Sequence, residues 1–218
     1  LQGTALGDDF GVYIGSGGLS SNGGDITIIG YSTSYTGVWV NGGDIASNGG
    51  DITIDGTSTS MAGTQVSDAD IRSGGGDITI NGDGASTGLI LSAVGIYSGV
   101  GSISLLGSGG GIAGSGVSIG QGSVVSATSG DVSVSGVSDA YYAVLMSGGA
   151  EIVTTSGDIA IEGEGAGGVW IADGDVSTTT GDVYLIGTGT DRAGIRMDAN
   201  AGVDGGAGLV SLAASNDG

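Results

Sequence analysis

Six aspartates recur at nearly constant spacing, Asp25, Asp51, Asp77, Asp131, Asp158 and Asp182, each just after a glycine and just before Ile or Val. If successive copies stack, the carboxylates form a column in which neighbours repel by roughly 1 kcal/mol per pair at the dielectric of water. Two chemistries would offset that repulsion. The carboxylates could share Ca²⁺ with corner carbonyl oxygens, or each could accept hydrogen bonds from the backbone amides of its own corner. The spacing does not reproduce the short Gly-Gly-x-Gly-x-Asp repeat of known Ca²⁺-binding β-helices. Ca²⁺ is therefore the one cofactor the residues suggest, without a defined ligand set.

A second column offers recognition in place of ion binding. Tyr13, Trp39, Gln65, Ile90, Ser118, Leu145, Trp170 and Arg196 occupy one equivalent position, once per repeat. Large apolar groups aligned on the solvent side of a strand tend to mark an interaction surface. This face is expected either to pack against a lateral neighbour or to stack on a host or matrix glycan. Aromatic and β-branched residues also suit strands wherever they lie, with no partner at all.

Catalysis is poorly supplied. The chain has no His, Cys or Lys, which removes the usual bases and most covalent nucleophiles. A carboxylate pair could hydrolyse a glycosidic bond, but such a site on a repetitive scaffold needs long loops that interrupt the repeat, and none is evident. The expectation is that the chain is not an enzyme. A formal charge of −20, with three arginines as the only basic side chains, argues against nucleic acid and anionic membrane surfaces as partners. The longest apolar runs are far too short to insert in a bilayer.

The elements that position both columns follow from the repeat. Gly23-Gly24-Asp25-Ile26-Thr27-Ile28 returns at Gly49–Ile54 and Gly75–Ile80, and weaker copies continue to the end of the chain. Counted from Asp25 the steps are 26, 26, 25, 29, 27, 24 and 27 residues. A fixed period of this size identifies a solenoid. Each period holds three short runs that alternate apolar with polar, the signature of strands with one buried face. The first run follows each Gly-Asp; the second is typified by Gly37-Val38-Trp39-Val40; the third centres on Leu19, Ile45, Ile71, Ile96, Val124, Ile152, Val176 and Val203.

The expected fold is all-β: a single right-handed parallel β-helix of about eight turns of ~26 residues with three strands per turn. Its hand comes from the general crossover rule. Residues 1–218 read as one continuous segment, roughly 40 Å long at ~4.8 Å per turn. The glycines, 52 of 218 residues, are expected at corners that need positive φ. The corner from first to second strand reads as the longest, for example Asp55 to Ala62, with Gly107–Gly116 the loosest stretch. The chain opens on Leu1 with no leader-like segment, and neither end reads as a cap, so further turns or copies of itself are expected end to end.

The Gly-Gly-Asp-Ile-Thr-Ile unit with its Ser-Asn-Gly-Gly lead resembles the shaft repeats of filamentous haemagglutinin-like exoproteins and autotransporter-type adhesins. That resemblance implies an extracellular protein of the bacterial cell surface, an adhesin or a fibre.

Overall fold

The computed structural model describes residues 1–216 and contains only strands and turns. Every strand pairing is parallel, and each strand meets its counterpart one turn away. The first-strand ladder runs Ile26, Ile52, Ile78, Ile103, Val132, Ile159, Val183, Val210. Its register steps are those counted from the aspartates. The second runs Val12, Val38, Thr64, Leu89, Val117, Val144, Val169, Ile195. The molecule is thus a β-solenoid of about eight turns.

Why these residues make these strands is visible in one rung. In Ile26–Ser32 burial alternates, with Ile26 and Ile28 inside and Thr27 outside. Ile28, Ile54, Ile80, Leu105, Val134, Ile161 and Leu185 are completely buried one above another. Each such side chain contributes on the order of 1.5–3 kcal/mol of burial, which no isolated turn could obtain alone.

The third-strand ladder corrects one expectation. Ile96 pairs with Val125, and Val125 with Ile152; Val124 lies half-buried on the outside while Val125 is fully buried. The cause is the preceding turn. Gln121 and Gly122 both adopt positive φ, and the buried Ser123 hydroxyl donates to the Gly120 carbonyl at 2.6 Å. With Ser123 facing inward, the period of two brings Val125 and Ala127 inward as well.

The first strand is also longer than the sequence suggests. Ile52–Ser58 continues through Asp55, Gly56 and Thr57, leaving only 59–63 as the corner, and Ile103–Gly109 likewise absorbs the start of the loose stretch. Glycine makes this possible, by a route other than positive φ. Gly30, Gly56, Gly82, Gly107, Gly136, Gly163 and Gly187 stack at an inward-facing position of the first strand. A Cβ on Gly56 would lie 2.2 Å from the Gly63 carbonyl oxygen, and one on Gly63 would lie 2.2 Å from the Asp83 amide nitrogen. Two columns therefore face each other, glycine from Gly30 to Gly187 on the first strand and glycine except for the buried Ala143 on the second, and first and second strands meet backbone to backbone along this edge. Twelve of the described glycines have positive φ; the facing columns have ordinary φ and are needed for the space a side chain would fill.

The corner from third to first strand is sealed by hydroxyls. Ser47 is fully buried, and its Oγ donates to the Gly50 carbonyl and contacts the Ser73 carbonyl of the next turn at 3.0 Å. Thr154 does the same for Gly157 at 2.6 Å. Asn48 takes φ 57 there, as its Asn-Gly-Gly context implies. Two turns depart from this: the Ser98 Oγ is buried with no hydrogen-bond partner, beside the register shift between Tyr97 and Gly99, and the next turn has the buried Ala127, without a hydroxyl, in the ladder position that Thr154 takes.

Candidate functional site: an acidic ladder and an aromatic face

The Asp position immediately precedes the first strand of its turn, where the carbonyl is used and the amide is left over. The Ile26 amide donates to the Asp51 carbonyl at 2.8 Å. The Asp51 amide turns instead to the Asp25 carboxylate, at 2.9 Å. The pattern repeats: the Asp77 and Ser102 amides donate to Asp51 and Asp77 at 2.8 Å, the Asp158 amide to Asp131 at 2.9 Å, and the Asp182 and Leu209 amides to Asp158 and Asp182 at 2.8 Å. Ser102, which interrupts the acidic series, still accepts from the Asp131 amide through its hydroxyl at 3.3 Å.

The carboxylates therefore cap amides of the neighbouring turn, where the sequence had suggested amides of their own corner. The reason is directional: amides at this position point along the axis, so only a side chain one turn away can reach them. A negative acceptor for an otherwise unpaired amide is a charge-assisted bond. It offsets the like-charge repulsion that the stacking creates. Among the described residues no group of three or more carboxylates comes together in a way that could hold a metal ion.

Two consequences are testable together. Asp77→Asn keeps an acceptor and removes a charge, so it is expected to leave the melting temperature unchanged or higher, whereas Asp77→Ala lowers it. Chelation with EDTA is expected to leave the wild-type melting curve in place. A rise of several degrees on adding millimolar Ca²⁺ would show instead that the column is a metal ladder.

At the end of the column Asp182 accepts from the Leu209 amide and from the Tyr184 hydroxyl at 2.8 Å. Both hold its carboxyl below the ordinary range, the amide more strongly. The same carboxylate pushes the Tyr184 phenol up. A depressed carboxyl stabilises the fold above its unfolded pKa, and that contribution fades as pH falls through the folded value.

The outward column of the second strand is continuous as well. Tyr13 neighbours Trp39, and the series continues through Gln65, Ile90, Ser118, Leu145 and Trp170 to Arg196. The structure adds a flanking layer that the sequence reading missed. Phe10 stacks 4.8 Å from Trp39, 5.2 Å from Tyr35 and 5.7 Å from Tyr13. At the other end Tyr142 lies 5.1 Å and Tyr141 6.1 Å from Trp170. The Arg192 guanidinium sits 5.2 Å over Tyr141, and that of Arg196 4.3 Å over Trp170.

Arg196 also pairs with Asp198 at 3.0 Å, and Trp170 Nε1 donates to the same carboxylate at 3.0 Å. The guanidinium first, then the indole, holds the Asp198 carboxyl below its usual range. The signal for the flanking layer was present in the sequence: Phe10, Tyr35, Tyr141, Tyr142 and Arg192 each fall three or four residues before a column member. The face thus carries two aromatic clusters, one near each end, separated by Gln65, Ile90, Ser118 and Leu145. Tyr13 and Tyr35 are the most open of the rings, 52% and 40% exposed.

A scan against protein-family models, a search of curated proteins and a search of solved structures each found no match for this chain. The likeness to haemagglutinin-like shafts accordingly rests on the repeat motif alone.

Proposed function

We propose that the chain is a structural segment of a secreted bacterial surface fibre or adhesin shaft, extended by axial stacking of its turns, with a mechanical and not a catalytic role. The observation that supports this is uniformity. The ladder continues from turn to turn through all the described residues, and apart from three local register shifts successive turns offer one another equivalent backbone groups and mostly aliphatic rungs. Axial growth therefore needs no contact that the fold does not already make. Among the described residues no long polar loop of the kind on which a binding or catalytic pocket would be built interrupts it.

The test is imaging. Concentrated protein in negative stain is expected to form thin unbranched filaments whose axial repeat is about 38 Å per chain, eight rungs of ~4.8 Å. Discrete particles of one length at every concentration would sink the fibre reading.

A further inference from the structure

The outward column is nearly symmetric about its middle. Read from either end, its second rung is tryptophan, Trp39 or Trp170, and its centre is the small and aliphatic pair Ile90 and Ser118. The outermost rungs are unlike but complementary, Tyr13 at one end and Arg196 at the other. We propose that this face pairs two copies of the chain side by side and antiparallel, about a two-fold axis that crosses between Ile90 and Ser118 along the strand direction.

Such an axis reverses the rod but keeps the side that precedes each second strand on the same side in both copies. Tyr13 then falls opposite Arg196, Trp39 opposite Trp170, and Gln65 opposite Leu145. The flanking layer matches too. Arg192, three residues before its strand, lies opposite Phe10 in the partner, and Met61, 47% exposed, lies opposite Tyr141. A two-fold interface has this property, that residue i meets j and j meets i. A cation over an aromatic ring is worth about 0.5–2 kcal/mol, and every such contact occurs twice.

Charge favours the same partner. On a molecule of net charge −20, two of the three arginines stand on this face; Arg196 is paired with Asp198, whereas Arg192 makes no ion pair with a carboxylate among the described residues. Asp8 and Asp9 adjoin Phe10, which places them opposite Arg192 of the other copy. A parallel pairing would instead set arginine against arginine. The area is modest. A strip about 34 Å long and about 12 Å wide covers on the order of 400 Å² per copy, half of a standard interface, so the pairing is weak and needs high concentration.

This pairing concerns the side of the rod and stands or falls independently of axial stacking. Because the native chain has no cysteine, its geometry can be read by cross-linking Gln65→Cys and Leu145→Cys variants with a short bismaleimide at about 0.5 mM protein. In the antiparallel pair, position 65 is adjacent to 145 of the partner but roughly 14 Å along the axis from its own image. The expected result is a cross-linked dimer when the two variants are mixed, with little product from Gln65→Cys alone. Arg192→Glu in the otherwise native chain should weaken the sedimenting dimer about tenfold. A self-link from Gln65→Cys as strong as the mixed link, or a chain that stays monomeric and unlinked at that concentration, overturns the proposal.

Discussion

Gly56→Ala, a change of one methyl group, is expected to destabilise the protein by about 3 kcal/mol or more, as much as truncating a fully buried isoleucine. The added Cβ would lie 2.2 Å from the Gly63 carbonyl oxygen and 2.4 Å from Thr64 Oγ1. Neither the carbonyl nor the strand that bears it can retreat, because the Thr64 strand is held by pairing on both sides. Urea unfolding of Gly56→Ala beside Ile54→Ala and Gly17→Ala measures the effect. Gly17 has nothing within 4 Å and no positive φ, so its replacement should be silent. If Gly56→Ala also stays within about 0.5 kcal/mol of wild type, the edge between first and second strands is looser than described.

The second large effect concerns register. Inserting one alanine between Thr53 and Ile54 turns Ile54 outward and Asp55 inward, because successive side chains face opposite sides. Losing one buried isoleucine and burying one carboxylate costs on the order of 5 kcal/mol, a large share of what a domain of this kind has in reserve. Two residues inserted after Ile112, which is 97% exposed in the corner 110–116, should leave the melting temperature within a few degrees. Circular dichroism of the two insertions decides it: equal tolerance would mean that the ladder does not set the register.

These expectations rest on features that differed in how plainly the sequence carried them. The turn length and the register of the first strands were legible because Gly-Asp, replaced by Gly101-Ser102 and Gly208-Leu209 in two turns, and the aliphatics that follow it mark the same point in successive turns. The choice between Val124 and Val125 was not, because either of two adjacent valines satisfies the pattern and only the buried Ser123 decides it. The second half of the first strand was hidden for a similar reason. Asp55, Gly56 and Thr57 look like a turn by composition, and their extended conformation is imposed by the strand against which Gly56 packs.

At the candidate sites the columns themselves were legible and their partners were not. Periodicity places Asp25 above Asp51 but does not say whether a carboxylate reaches its own corner or the next turn; the direction of the Asp51 amide settles that. The aromatic column was assembled from one position per turn, so Phe10, Tyr35 and Tyr141, which lie off that position, fell outside it. Their offset of three or four residues before the column is readable in the sequence, but that this offset brings them beside the column depends on where the corner returns the chain.

The turn-on-turn ladder has a consequence for load. Its hydrogen bonds lie along the axis while the covalent chain runs across it, so tension applied to the two ends strains the bonds of a single turn at a time. Each turn released lengthens from about 4.8 Å of rod to roughly 85 Å of extended chain for its 26 residues. A shaft built this way would give ground one turn at a time under tension, dissipating work as it peels and remaining continuous from end to end.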